Sequence, residues 1–190
     1  MSKIWMWVAA MVLASFPAAH AQRHEINLSR SCITIHVGKA GLFSAFGHEH
    51  EIRAPVAAGE IDASQNPRVE IEVKSAELKV VDRDVSTADR ESIQETMLSP
   101  VVLDSKKYPE IRFRSTAIKK LESKRWRVTG DLTLHGQTHL VDVDVRGDQG
   151  EYKGSARLRQ TEFGITPVKV AGGSVRVKDE VTLEFDVVTQ

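Results

Sequence analysis

The fold of this chain is decided by the stretch Val181-Thr182-Leu183-Glu184-Phe185-Asp186-Val187, in which every second side chain is apolar. Because successive side chains of a β-strand point to opposite faces, this order gives the strand one apolar face and one polar face. The same alternation recurs at residues 69–74, 111–114 and 141–145. It is typical of antiparallel strands that have one face in contact with water.

Turn residues separate these strand patterns at short intervals. In the turn His135-Gly136-Gln137, Gly136 is expected to supply a positive φ angle. Long alternating strands would expose unpaired edges, and closing the sheet removes them. The chain therefore predicts an all-β fold, an antiparallel β-barrel of about eight strands, whose interior holds packed side chains or one slim ligand. The turn segments are 65–67, 130–131, 135–137, 147–150 and 172–173.

One segment, residues 84–98, breaks the alternation. Ile93 and Met97 lie four residues apart, and Ser86 and Asp89 have the spacing of a capping box. Pro100 follows the segment and would end a helix there. We therefore expect one helix of about three turns, packed at the side of the barrel. A shorter helical turn is expected over residues 40–46, before a strand that starts near residue 47.

The first 21 residues read as a secretory signal. Lys3 is followed by an apolar run from Ile4 to Phe16, and Ala19-His20-Ala21 places small residues where a signal peptidase reads. The apolar run is shorter than the roughly 20 residues that a membrane-spanning helix needs. We predict cleavage after Ala21, which leaves residues 22–190 as one barrel domain in the periplasm or outside the cell.

Composition narrows the classes of partner. Removing residues 1–21 removes only Lys3 from the charged set, so 25 basic residues face 26 acidic ones, a net charge of −1. A nucleic-acid partner would require a basic face, which this balance does not suggest. The same balance indicates no polybasic patch for an anionic membrane. No second long apolar stretch follows residue 21, so we expect no stable membrane insertion.

Cys32 is the only cysteine, so the chain cannot form an internal disulfide. Its position inside a strand-like run favours a buried structural thiol. A reactive thiol, and a homodimer joined through Cys32, stay open as alternatives.

Seven segments, taken in order, carry a resemblance to a known family. The chain resembles the YceI-like proteins, a polyisoprenoid-binding family of bacterial periplasmic and secreted proteins, over roughly residues 26–188. No single segment is specific, whereas the complete series is. The segments are Ser31-Cys32-Ile33-Thr34-Ile35, Phe46-Gly47-His48-Glu49-His50, Met97-Leu98-Ser99-Pro100, Leu103-Asp104-Ser105 with Tyr108-Pro109-Glu110-Ile111-Arg112-Phe113, Gly130-Asp131-Leu132-Thr133-Leu134-His135-Gly136-Gln137-Thr138, Phe163-Gly164-Ile165 and Val177-Lys178-Asp179-Glu180-Val181.

The resemblance implies a lipocalin-like barrel around an apolar pocket that holds a long lipid, such as a polyisoprenoid, a prenyl quinone or a fatty amide. No cofactor is expected beyond that bound lipid. Burial of such a chain yields about 0.8 kcal/mol per CH₂ before the costs of binding. Candidate wall residues are Ile35, Ile71, Val73, Phe113, Leu132, Leu134 and Phe185. Candidate residues at the mouth are Phe43, Phe46, His48, His50 and Met97.

His48 and His50 are the sharpest chemical feature, because residues two apart in a strand share one face. They could line the mouth, contact a lipid head group or bind a metal, which would need further ligands. Nothing in the sequence shows that candidates such as His135 or Asp104 converge on them. No spacing of a known catalytic site is present, and we expect no enzyme. A His-dependent metal or redox protein, and a ligand-free stress-response module with a filled core, remain as alternatives.

Overall fold

The computed structural model describes residues 23–40, 49–170 and 175–190, and it confirms an antiparallel β fold with one helix. Within these residues, twelve strands form one sheet. The strands are β1 (Arg23–Glu25), β2 (Cys32–Ala40), β3 (His50–Pro55), β4 (Ala58–Asp62), β5 (Arg68–Lys74), β6 (Lys79–Val80), β7 (Glu110–Glu122), β8 (Arg125–Leu134), β9 (Gln137–Asp148), β10 (Glu151–Arg159), β11 (Lys169–Val170) and β12 (Val175–Val188). The helix is α1 (Thr87–Leu98), and short 3₁₀ turns span Ser75–Glu77 and Gln160–Phe163.

The sheet closes into a barrel because β3 and β4 form one bent strand. Along the neighbour order β4-β5-β7-β8-β9-β10-β12-β2-β3, every pairing is antiparallel. After these eight steps β3 runs in the same direction as β4, and only Val56 and Ala57 separate them. The Ala57 N–H donates to the Glu72 carbonyl at 2.8 Å and extends the β4–β5 ladder. With β3–β4 counted once, eight long strands surround the interior in the described chain. The whole sheet has twelve strands there, more than the roughly eight expected, but the fold class is the one predicted.

The start of the described chain is joined to its end. Ile26, directly after β1, forms an antiparallel bridge with Thr189, directly after β12. The Asn27 N–H donates to the Val188 carbonyl at 2.7 Å, and the Gln190 N–H donates to the Glu25 carbonyl at 2.8 Å. β1 also pairs with β4, so it links β4 to the end of β12. Fewer backbone groups are therefore left unpaired at this side of the barrel.

Helix α1 begins where the capping box predicted a cap. The Asp89 N–H donates to the Ser86 hydroxyl at 3.1 Å, and Ser86 is the N-cap. The helix therefore starts at Thr87, three residues later than residue 84, because Ser86 stands just outside the first turn. The Gln94 side chain bonds the Val80 N–H and the Leu78 carbonyl, both at 2.8 Å. These bonds attach α1 to β6 at one end of the barrel.

The end of the barrel beside α1, which we call the closed end, is filled with side chains. Phe163 is fully buried there and Met97 is 6% exposed. Both belong to one apolar cluster with residues from the strands and from the segment that follows α1. The other buried members are Val37, Ala54, Val73, Leu78, Val80, Leu103, Leu132, Leu158, Ile165 and Val181.

Three of the sequence motifs meet at the closed end. The Gly136 φ of +73° confirms the expected turn conformation, and the Tyr108 ring lies against this glycine where a Cβ would clash. The His135 ring centroid lies 4.5 Å from that of Tyr108, and the His135 Nδ1–H donates to the Phe163 carbonyl at 3.1 Å. These contacts give His135 a structural role, which is to fasten the β8–β9 turn to the Gln160–Phe163 turn.

Candidate functional site

The interior away from the closed end contains a cavity of about 440 Å³. Its wall consists of the inward-facing rows of the strands and is almost entirely apolar. Such a volume lies within the range of small-ligand sites in proteins. Most of the wall residues were not predicted individually, although they occupy the same alternating rows. They are Ile33, Ile61, Val69, Ile111, Ile118, Trp126, Val128, Val141, Val143, Val145, Tyr152, Ala156, Leu158, Leu183 and Val187.

Five of the seven predicted wall residues lie on this cavity: Ile71, Val73, Phe113, Leu132 and Phe185. The other two, Ile35 and Leu134, pack against the closed-end cluster instead. All seven point inward, as the period of two requires. Ile35 and Leu134 face only the filled core, whereas Val73 and Leu132 border both the core and the cavity. A contact between any of these residues and a ligand stays a prediction.

The cavity reaches the surface at the end opposite α1, which we call the open end. Its lining there includes Ala63 and Pro67, two exposed residues of the β4–β5 turn.

Met97 was predicted to lie at the mouth of the cavity, and this prediction was wrong. Met97 is buried in the closed-end core because α1 packs over that end. His50 lies at the same end and is not part of the wall. The remaining predicted mouth residues, Phe43, Phe46 and His48, lie outside the described residues, as does most of the expected helical turn at 40–46; Ala40 itself belongs to β2.

Asp62 is a polar group at the open end. The Ser64 N–H donates to Asp62 Oδ1 at 2.9 Å, and this bond lowers the pKa of the Asp62 carboxyl below its usual value. Arg23 Nε, at 4.0 Å from Asp62 Oδ2, acts in the same direction. Asp62 therefore stays ionised at neutral pH and adds one fixed negative charge to the rim of an apolar cavity.

Two glycines beside the cavity leave room for aromatic side chains of its wall. The Phe185 ring lies against Gly154, directly across the β10–β12 pair, and the Phe113 ring lies against Gly130. A Cβ on Gly130 or Gly154 would lie 2.5 Å from the nearest ring carbon. Because glycine has no side chain, each ring can lie close to the backbone of the neighbouring strand.

We expect Gly154→Ala to destabilise the protein by about 1–3 kcal/mol, the usual cost of overpacking. The added methyl would meet both the Phe185 ring and the Asp144 carbonyl oxygen. Urea unfolding would measure the loss. Ser155→Ala is the control, because Ser155 is an exposed neighbour on the same strand, and it should change stability by no more than about 0.5 kcal/mol. Equal stabilities of the two variants would contradict this packing.

Asp82, which is buried, and His50, which is half-buried, form a pair at the closed end. Asp82 is 7% exposed, and its Oδ2 accepts the His50 Nδ1–H at 2.7 Å. Its Oδ1 accepts the Glu51 N–H at 2.7 Å, and its own carbonyl accepts the Arg90 Nε–H at 2.9 Å. Asp82 therefore connects β3 to the first turn of α1. This geometry gives His50 a structural partner and leaves its Nε2 without one among residues 23–40, 49–170 and 175–190.

Asp82→Ala should lower the free energy of unfolding by about 2–3 kcal/mol, because it leaves the Glu51 N–H and His50 without their acceptor. Asp84→Ala removes an exposed carboxylate two residues away and should be nearly neutral. Thermal or urea unfolding of both variants measures the difference. If Asp84→Ala were the more damaging change, the connecting role of Asp82 would be wrong.

The described residues contain no cluster of three His, Cys, Asp or Glu side chains that could hold a metal ion. No helix in this part of the chain is long and apolar enough to cross a bilayer. His48 is not described, so metal binding by the histidine pair stays a hypothesis.

Cys32 is half-buried, and the expectation of a buried thiol was wrong. Ile33, Ile35 and Val37 form the inward row of β2, so Cys32 faces outward, into a surface groove that Arg53 also lines. A dimer through Cys32 stays a prediction.

Solved structures and curated proteins resemble this chain in fold and in part of its sequence. A Burkholderia cenocepacia protein, BcnA, superposes with a TM-score of 0.61 at 20% identity, over 87% of this chain and 99% of that one. A polyisoprenoid-binding domain from Saccharophagus degradans, implicated in plant cell wall breakdown, gives a TM-score of 0.61 at 10% identity, over 90% and 99%. At such identities the likeness concerns the fold alone.

Sequence relatives match over a shorter region. A UPF0312 protein of Pseudomonas putida (strain W619) is 40% identical over 73 residues, which are 33% of this chain and 38% of that protein. A UPF0312 protein of Vibrio cholerae is 32% identical over 92 residues, 43% and 47% of the two chains. The aligned region thus spans less than half of either relative. The model of the YceI-like domain, by contrast, matches residues 24–189, nearly the whole barrel. On that match, this chain belongs to the YceI-like domain family.

Proposed function

We propose that this protein binds one long apolar lipid chain in its barrel, for transport, storage or sequestration. A polyisoprenoid, such as a prenyl quinone or a polyprenyl phosphate, is the favoured ligand, and a fatty amide is the alternative. The observation that carries the proposal is the cavity of about 440 Å³ with an almost wholly apolar wall. The description of the Saccharophagus degradans neighbour as a polyisoprenoid-binding domain supports the choice of ligand.

The cavity geometry favours a chain-shaped ligand. Along β8 the wall extends over seven residues, from Trp126 to Leu132, or about 20 Å at the rise of a strand. The tail would lie between these walls with its far end toward the closed-end core. The polar end would then lie at the open end, where the cavity meets water. Because the wall offers few directed hydrogen bonds, selection would depend mainly on the length and shape of the chain.

The proposed role is binding rather than catalysis. The polar groups of the described site are few, and His135, a histidine of the motifs, is held by contacts with Phe163 and Tyr108. The alternative of a ligand-free module with a filled core disagrees with the presence of the open cavity. Metal binding through His48 and His50 remains a separate hypothesis, which metal analysis of the purified protein would test.

We also propose that residues 1–21 direct export and are removed after Ala21. Expression of the full chain in bacteria should give a periplasmic protein whose first residue is Gln22. Intact mass and N-terminal sequencing would show this. A protein that keeps residues 1–21 and stays with the cytosolic fraction would contradict export without affecting the cavity.

The decisive experiment is to purify the protein from cells that express the full chain and to extract it for lipid mass spectrometry. We expect one prenyl or other long-chain lipid per protein, absent from an Ala156→Trp variant purified in the same way. Ala156 lies on the wall, and an indole there would occupy the space of the tail. A wild-type protein free of lipid, which also fails to take up added prenyl quinone, would overturn the proposal.

A further inference from the structure

The hairpin that joins β7 to β8, residues 119–127, concentrates positive charge at the open end. It contains five cationic residues and one acidic residue, Glu122. The net charge of the whole chain is near zero because acidic residues elsewhere balance this cluster. We expected no polybasic patch from that balance, and this expectation was wrong. The cations are Lys119, Lys120, Lys124, Arg125 and Arg127.

Neighbouring carboxylates neutralise only part of this charge. Lys124 pairs with Asp148 at 2.5 Å, and Arg127 pairs with Asp144 at 2.8 Å. Arg125 Nη1 lies 3.4 Å from the Glu122 carboxylate. Lys119 and Lys120 are exposed, and their side chains have no ion-pair partner in the described part of the chain. An excess of positive charge therefore remains on the hairpin.

The strand register adds like-charge contacts. Lys119 stands directly opposite Arg127 in the β7–β8 pair. Arg125 stands directly opposite Arg146 in the β8–β9 pair. Like charges in these positions destabilise a sheet. An anionic surface bound to the hairpin would reduce the repulsion in both pairs. The strand register therefore favours an external anionic partner.

Apolar groups of the same hairpin indicate what kind of surface that partner is. Leu121, beside its tip, is 44% exposed, so an apolar side chain lies in water among these charges. Trp126, five residues later, lines the cavity. One short segment thus contains an exposed leucine, five cations and a residue of the cavity wall. Cations with an apolar side chain at the tip suit the interface of an anionic bilayer.

We propose that the open end docks on an anionic lipid bilayer through the hairpin 119–127. Lys119 and Lys120 would contact lipid phosphates, and Leu121 would enter the head-group region. Docking would turn the opening of the cavity toward the membrane, so a lipid could pass between bilayer and barrel without crossing water. The docking itself needs no particular cargo, and only its purpose rests on the proposed lipid-binding function.

Vesicle co-sedimentation tests the docking. The wild-type protein should bind vesicles of 70% phosphatidylcholine and 30% phosphatidylglycerol, and binding should fall at high salt and be weak on pure phosphatidylcholine. The double variant Lys119→Glu/Lys120→Glu should lower the partition coefficient by about 10- to 100-fold, and Leu121→Ser by a smaller factor. All variants have the same N-terminus, so any contribution from residues 1–21 cancels in the comparison.

The closed end supplies matched controls. Lys106→Glu/Lys107→Glu reverses two adjacent exposed lysines there, and Val101→Ser removes an apolar side chain that is 62% exposed. Neither should change vesicle binding by more than about twofold. The docking would be contradicted if the closed-end variants lost as much vesicle binding as the hairpin variants. It would also be contradicted if wild-type binding were the same with and without phosphatidylglycerol.

Uptake of a fluorescent lipid from detergent solution separates the two proposals. The variants with substitutions in the hairpin should keep normal uptake, because their cavity wall is unchanged. If the protein binds anionic vesicles but takes up no lipid, the result contradicts the proposed function and supports the docking. If the protein takes up lipid but does not sediment with anionic vesicles, the result contradicts only the docking.

Discussion

Phe113→Asp should abolish lipid uptake, with the binding of a prenyl or fatty-acyl probe falling at least 100-fold. Phe113 lies on the cavity wall against Gly130, where a carboxylate would meet the ligand tail without a hydrogen-bonding partner. Burying an unpaired charge beside a hydrocarbon chain costs several kcal/mol, and 100-fold corresponds to about 2.7 kcal/mol. Fluorescence titration with the probe measures the loss, and circular dichroism reports whether the variant is folded.

Thr116→Asp is the matched control for this change. Thr116 lies on the same strand as Phe113 but is exposed to water, so its replacement adds the same charge outside the cavity. Binding should stay within about twofold of the wild type. If Phe113→Asp does not fold, Ala156→Trp tests the same wall with an apolar residue. Normal binding by folded Phe113→Asp, or by Ala156→Trp, would show that the tail does not lie in this cavity.

Phe163→Ala should have the largest effect on stability, a loss of about 3–5 kcal/mol in the free energy of unfolding. Phe163 is fully buried in the closed-end core, and its ring packs edge-on against His139 at 5.2 Å between centroids. Removing the ring leaves a void among side chains that cannot all move to fill it. Urea unfolding would measure the change.

Phe185→Ala is the informative comparison. Phe185 is half-buried and faces the open cavity, so fewer packing contacts are lost when its ring is removed. We expect a smaller loss of stability than for Phe163→Ala and a larger change in lipid binding. Such a result would separate the closed end, which stabilises the barrel, from the open half, which holds the ligand. The opposite order of stabilities would contradict the division of the interior.

Local features of the sequence were predicted well because neighbouring residues determine them. The period of two along Val181–Val187 shows which side chains face inward wherever the strand is placed. Ser86 caps α1 through its own backbone neighbours, and Gly136 takes a positive φ in the expected turn. Two of the errors concern surroundings: Met97 was expected at the mouth, and Cys32 was expected to be buried. Neither outcome depends on local spacing.

By itself, the sequence determined the strands, the helix cap, the main turns and the inward rows, since all of these follow from interactions over a few residues. Only the tertiary structure decided which inward residues line empty space, because Ile71 and Ile35 have the same pattern but face different neighbours. It also decided which end opens, since α1 closes the other. Finally, the register of β7, β8 and β9 brought Lys119 beside Arg127 and Arg125 beside Arg146, a concentration of charge that a net total cannot reveal.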